Sequence, residues 1–212
     1  MTERNPNQQH GVPLGIYQER YKSLDTTEIT RRTGVPFDNS LNVFSLSVLG
    51  FTLLASWPEF TLKPSDETCP KDLFGGEAKI LMIRYLIEGT RADPTGNFVP
   101  YRELPWGDVY DKNFQGRCRG RLAFGFGSKL DAFHKACQRL GGVPRNKGDA
   151  SYDLQFVPGV TVRLILWAGD DEFPPQSQWL FSDNTPLAFT AEDVAVIGDV
   201  VIGALKETAR RQ

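Results

Sequence analysis

Pro158-Gly159 is the feature of this sequence that most constrains its fold. It separates Tyr152–Val157 from Thr161–Trp167, two runs of strand-forming residues with similar lengths, and predicts a β-hairpin turning at those two residues. The second run carries Val162, Leu164, Ile165, Leu166 and Trp167, so it needs cover on at least one face. A two-stranded hairpin is marginal on its own in water, and other elements must pack on it.

The rest of the chain supplies them. Leu14, Tyr17, Tyr21 and Leu24 recur at helical spacing. Asp25 with Glu28 suggests the cap of a second helix, ended by Gly34. Leu41–Val48 alternates, with Phe44, Leu46 and Val48 on the core side, and Phe51–Ser56 resumes after Gly50, so two strands and a tight turn are expected, with Phe60–Leu62 as a third strand. Lys63–Gly76 reads as loop. Glu77–Glu88 leaves only a narrow polar stripe and reads as a helix buried on most sides. Phe98–Gly107 reads as extended or irregular. Tyr110, Phe114, Cys118 and Leu122 share a helical face. Ser128 is placed to cap a helix carrying Leu130, Phe133, Cys137 and Leu140, stopped by Gly141-Gly142. Thr190 with Asp193 caps a last long helix whose apolar face includes Val194, Ile197, Val201 and Leu205. Strands at both ends bracket a helical middle with no linker or repeat. The expected fold is α+β: residues 1–13 a flexible N-terminal segment, and 14–212 one domain whose mixed or antiparallel sheet holds both the Phe44/Phe51 strands and the Val157/Val162 hairpin.

Composition removes several function classes. The 212 residues carry a formal charge of −2, which excludes a globally basic nucleic-acid binder. No apolar run approaches the ~20 residues of a membrane span. The polar start lacks the pattern of a secretory signal, and Cys69, Cys118 and Cys137 are odd in number and widely spaced, so a cytoplasmic protein with unreactive thiols is expected. An iron–sulfur cluster normally takes four thiolates, so this chain alone is not expected to hold one. There is no G-x-S-x-G elbow, H-E-x-x-H motif or phosphate loop. His10 lies in the loose start, and His134 sits beside Phe133, where a hydrogen-bonded structural role is the default.

Charged clusters are the remaining candidates. Asp170-Asp171-Glu172 follows the apolar strand directly, and hairpin pairing brings Asp149 to the same open end. Asp149, Asp170 and Glu172 could together hold a hard divalent cation through oxygen ligands. The competing reading is a solvated turn in which one carboxylate caps backbone N–H groups. Arg117 and Arg121 share a helical face while Arg119 points elsewhere, which suits surface pairing with acids better than a three-pronged anion clamp.

Three stretches taken in order, Tyr101–Tyr110 (YRELPWGDVY) with Phe114, Gly148–Ser151 (GDAS) and Trp167–Pro174 (WAGDDEFP), resemble the uncharacterised bacterial and archaeal family catalogued as domain of unknown function three-seven-eight-six. The resemblance runs over nearly the whole chain from about Tyr17. It implies a context of anaerobic metabolism. Some members carry a cysteine-rich iron–sulfur segment before the domain, which this chain lacks, and no established reaction comes with the family.

Three functions are carried forward. The first is a small-ligand or cofactor-binding accessory protein of anaerobic metabolism, linked to a corrinoid or to an iron–sulfur or other redox partner. Arg102 would bind an anionic group, Tyr110 and Trp167 would form aromatic walls, and Asp170 and Glu172 would orient polar atoms. The second is a hydrolase or phosphoryl-transfer enzyme using a divalent metal on Asp149, Asp170 and Glu172. The third is a homodimeric interaction module. Partners are thus a small molecule, a redox or corrinoid protein, or a second copy, with neither nucleic acid nor membrane.

Overall fold

The computed structural model describes residues 14–211. The expectations for segment 1–13 and for His10 lie outside the described residues. The chain folds as one α+β domain with two antiparallel sheets. Helices α1 (Leu14–Lys22) and α2 (Thr26–Thr33) lead into β1 (Phe37–Asp38), β2 (Val43–Val48), β3 (Phe51–Ser56) and β4 (Leu62–Pro64), which lie in that order. Helix α3 (Gly76–Glu88) follows, then β5 (Phe98–Pro100), a 3-10 turn at Tyr101–Glu103 and α4 (Gly107–Phe114). Helix α4 runs through a π-helical segment, Gln115–Gly120, into α5 (Arg121–Phe126). Then come α6 (Leu130–Arg139), β6 (Val143–Pro144), β7 (Ala150–Val157), β8 (Val160–Trp167), β9 (Gln176–Ser182), α7 (Thr185–Ala188) and α8 (Ala191–Arg210). The second sheet has the order β5-β9-β8-β7-β6.

The expected single sheet is corrected here. The β2–β3 pair turns at Leu49 and Gly50, both at positive φ, the backbone that a two-residue hairpin needs. Its outer edges are taken by the short neighbours β1 and β4, as the edges of β7–β8 are taken by β6 and β9. With those edges filled locally, the two sheets stay separate ladders, joined at the turn by the Leu49 N–H, which donates to the Phe156 carbonyl at 3.2 Å. One buried cluster nevertheless runs through both, from Phe44, Leu46 and Leu53 to Leu154, Leu164 and Phe181. The second sheet also contains β9, which the periodicity reading leaves unassigned.

Local rules account for most of the other elements. The Asp25 Oδ1 accepts from the Thr27 and Glu28 N–H groups at 2.8 and 3.0 Å, and Gly34 ends α2 in the left-handed conformation. Glu28 turns outward to Arg31 instead of closing a reciprocal box. Thr190 and Asp193 do form a reciprocal capping box at the start of α8. Asp193 serves twice, since it also takes Nη1 of the buried Arg84 on α3 at 2.5 Å and so ties the two most buried helices together. Ser128 does not cap α6: Lys129 occupies the N-cap position, with no side-chain cap. Segment 63–76 is not wholly loop, because Lys63 and Pro64 pair with β3 and a 3-10 turn spans Lys71–Leu73.

On the outer face of the second sheet, Asp153 accepts from Arg163 at 2.6 and 2.9 Å and from Arg145 at 2.6 Å. The Arg163 guanidinium also lies 3.8 Å from the Phe98 ring centroid. This cross-strand layer spans the sheet and holds the short edge strand β5 in place. Among the described residues no helix is long and apolar enough to cross a membrane.

Candidate functional site

The three-residue length of β5 creates the site. Strand β5 pairs with β9 only at Leu180–Ser182, so the first half of β9 has no strand beside it on that edge. The chain instead leaves β5 through the 3-10 turn, and α4 returns with the π-helical segment to face the open edge. Between them lies a cleft of about 460 Å³, within the usual range for small-ligand sites.

Each wall is fixed by contacts behind it. Tyr101 is buried, stacks on Phe114 with centroids 4.1 Å apart, and donates its hydroxyl hydrogen bond to the Ala191 carbonyl at 2.9 Å. That anchor leaves its neighbour Arg102 exposed at the cleft rim. Gly107 is required at this corner, because a Cβ there would collide with the Tyr101 carbonyl. On the opposite wall the π-helical segment is clasped to β9 from both directions: Ser177 Oγ donates to the Arg119 carbonyl at 2.8 Å, and Arg119 Nε donates to the Ser177 carbonyl at 3.2 Å. The wider π turn separates the three arginines. Arg117 and Arg121 both pair with Asp199 on α8, while Arg119 lines the cleft. Such π segments recur at functional sites because the extra residue re-aims side chains.

The lining is mostly polar. Trp167, at the end of β8, pairs in register with Gln176 and stands 38% exposed as a flat wall. Gln115, Gln176 and Gln178 offer amides, and Asp111 accepts from Gln115 Nε2 at 2.6 Å. Trp179 lines the cleft floor, and its indole N–H is buried with no acceptor among the described residues. Arg102, Arg119 and Glu103 bring charge to the same space. A planar anion could take guanidinium forks from the arginines and stack on Trp167.

The structure brings together some expected site residues and separates others. Arg102 and Trp167 line one cleft. Tyr110 is half-buried against the core and does not line it. Asp170, Asp171 and Glu172 are exposed and also lie outside its lining. Asp170 Oδ1 accepts from the Glu172 and Phe173 N–H groups at 2.9 and 2.7 Å, which makes this the solvated, self-capped turn. Asp149 is likewise exposed and caps the Ala168 N–H at 2.7 Å. Among the described residues no group of three or more His, Cys, Asp or Glu side chains is placed to hold a metal ion, so Asp149, Asp170 and Glu172 are not assembled as a ligand set.

The cysteines are buried and free. Burial pushes the Cys69 thiol up to about 11 and the Cys118 thiol to about 12, and raises Cys137 well above its ordinary value. His134 Nδ1 lies 2.9 Å from the Tyr152 hydroxyl, the structural partner expected of it. The residues that sequence reasoning missed are Arg119 as a cleft residue, Gln115, and the Gln176–Trp179 edge.

No curated protein and no solved structure matches this sequence. Residues 25–204 match the family described as Domain of unknown function (DUF3786), and with most of its length so matched the chain belongs to that family.

Proposed function

We propose that the protein binds a small organic anion in the cleft between the 3-10 turn, the π-helical segment and the open edge of β9. The convergence of Arg102, Arg119 and the exposed Trp167 on one space carries this reading. Arginine forks fit carboxylate and phosphate groups, Trp167 suits a flat ring, and the glutamine amides suit polar ring edges. This is the binding part of an accessory role in metabolism. The anaerobic context implied by the family resemblance makes anaerobic purification the right starting point.

The test is to purify the wild type and an Arg102→Gln/Arg119→Gln variant anaerobically, denature both, and compare the released small molecules by mass spectrometry. An anion released stoichiometrically by the wild type and lost from the variant supports the reading. Equal retention by both folded proteins refutes it.

A second reading has its own observation. Trp106, held at positive φ, is exposed together with Val109 one turn later, and Leu187 is exposed beside the hollow that Trp106 and Pro186 line. Large exposed apolar side chains of this kind suit a homodimer surface. Sedimentation of the wild type and a Trp106→Ser/Val109→Ser variant over a range of concentrations decides it: a dimer lost in the variant supports the reading, and a monomer throughout excludes it.

A further inference from the structure

The cleft does not end at Arg119. A second hollow of about 270 Å³ opens beyond it and shares Gln115, Arg119, Gln176 and Ser177 with the first. Its own surface is Ala123 and Phe124 of α5 with Pro175 from the loop before β9.

Three observations define what this longer groove would take. The first is position. The clasp with Ser177 holds Arg119 at the junction, and its terminal nitrogens have no protein partner among the described residues. The second is charge. In the first hollow Glu103 and Asp111 offset the arginines, whereas among the described residues Arg119 is the only charged side chain lining the second. An anion is therefore best placed at Arg119, on the side that faces the second hollow. The third is the aromatic flank. Phe124 is 73% exposed although Leu122, Ala123 and Phe126 around it are buried. Pro175 beside it is packed so tightly on Gly127 that a Cβ there would not fit. Trp167 thus belongs to the first hollow and Phe124 to the second, and Arg119 lines both.

We infer that the ligand is an elongated organic anion, with its charged group at Arg119, one flat arm against Trp167 and a second over Phe124 and Pro175. The inference rests on the proposal that the cleft binds a small anion, and it adds a second subsite.

Three probes separate the parts. 8-Anilinonaphthalene-1-sulfonate carries its sulfonate on the naphthyl ring, beside the nitrogen that joins that ring to a phenyl, N-phenyl-1-naphthylamine has the same two rings without the sulfonate, and benzenesulfonate has the anion with one ring. Binding is followed by titration calorimetry, and by fluorescence for the two larger probes, with circular dichroism as the check on folding. Phe124→Ala should weaken the two-ring sulfonate roughly five- to tenfold, the scale of a lost aromatic contact, and leave benzenesulfonate within about twofold. Arg119→Lys keeps the charge but loses the fork. It should weaken both sulfonates about tenfold and leave the neutral probe unchanged. If Phe124→Ala leaves the two-ring sulfonate unchanged while Arg102→Gln and Trp167→Ala still weaken benzenesulfonate, the second subsite is wrong and the cleft proposal stands. If the neutral probe binds as tightly as its sulfonate, the central anion position is wrong. If no substitution at Arg102, Arg119 or Trp167 alters either sulfonate, both proposals fail.

Discussion

Replacing Gly198 with alanine sets two opposed effects against each other, and the structure decides between them. Gly198 lies in the middle of α8, facing the π-helical segment that carries Arg119. Helix propensity alone favours alanine there by about 1 kcal/mol. The new Cβ would sit 3.5 Å from Phe114 Cε2, an ordinary contact, and 3.3 Å from Cys118 Cβ, a tight one, but about 1 Å or more inside contact with Cys118 Sγ. Cys118 and Phe114 are fully buried and cannot swing aside. Overpacking of this kind costs roughly 1–3 kcal/mol, so the net effect in the wild type is a loss of about 0–2 kcal/mol. With Cys118→Ala the sulfur is gone and the one tight contact left is the 3.3 Å approach to the remaining Cβ. The cost of Gly198→Ala should then fall by roughly 1–2 kcal/mol relative to the wild type. Urea unfolding of the four proteins in this cycle measures it. A Gly198→Ala change that stabilises equally with and without Cys118 would refute the close packing of α8 on the π segment, and with it the placement of the cleft wall.

Other outcomes follow from named contacts. Burial alone would raise the Asp153 carboxyl, but hydrogen bonds from Arg163 and Arg145 outweigh it and hold the group below the ordinary carboxylate value. Its stabilisation is therefore present above the unfolded pKa near about 3.9 and is lost as pH falls through the lower folded value. Asp153→Asn should cost about 2–4 kcal/mol at pH 7, less than a fully buried pair because Arg145 is half-exposed, and should flatten the acid limb of a stability-versus-pH curve. An unchanged acid limb would show that the Asp153 layer contributes nothing. Asp170→Ala removes only a turn cap and should cost at most about 1 kcal/mol, measured by thermal melt, with no effect on binding in the cleft. A larger effect on binding than on stability would return the acidic turn to the site. With all three thiols buried and raised, native protein at pH 8 should react with a disulfide reagent no faster than it opens, and rapid labelling of even one thiol would contradict the packing.

The local elements were legible in the sequence because their signals are local. Pro158-Gly159 turns the β7–β8 hairpin, Thr190 and Asp193 cap α8, and the apolar run of α3 is buried as its narrow polar stripe implies. The division into two sheets was not legible, since it depends on β1 and β4 competing for edges, and strands of two or three residues have too little pattern to read. Strand β9 had a usable signal: Ser177, Trp179 and Phe181 alternate with Gln176, Gln178 and Leu180. Leu180 on the wetter face and the nearby Pro174-Pro175 obscure it. The acidic turn drew attention as three adjacent anions, yet its stability comes from Asp170 capping its own backbone and its carboxylates remain solvated. Arg102 and Trp167 were recognisable one by one. Their meeting with Arg119 was not, because it requires the short β5, the unread β9 and a π turn that no residue in Gln115–Gly120 announces. The one available hint was the helical phase that set Arg119 apart from Arg117 and Arg121.

The most direct test of the central claim is a crystal structure of protein purified anaerobically and never exposed to added ligand. Electron density is expected for an organic anion with its charged group within hydrogen-bond distance of Arg119, a flat portion against Trp167, and an end reaching Phe124. Density for a bound molecule elsewhere on the protein, with only ordered water between Arg102, Arg119 and Trp167, would contradict it.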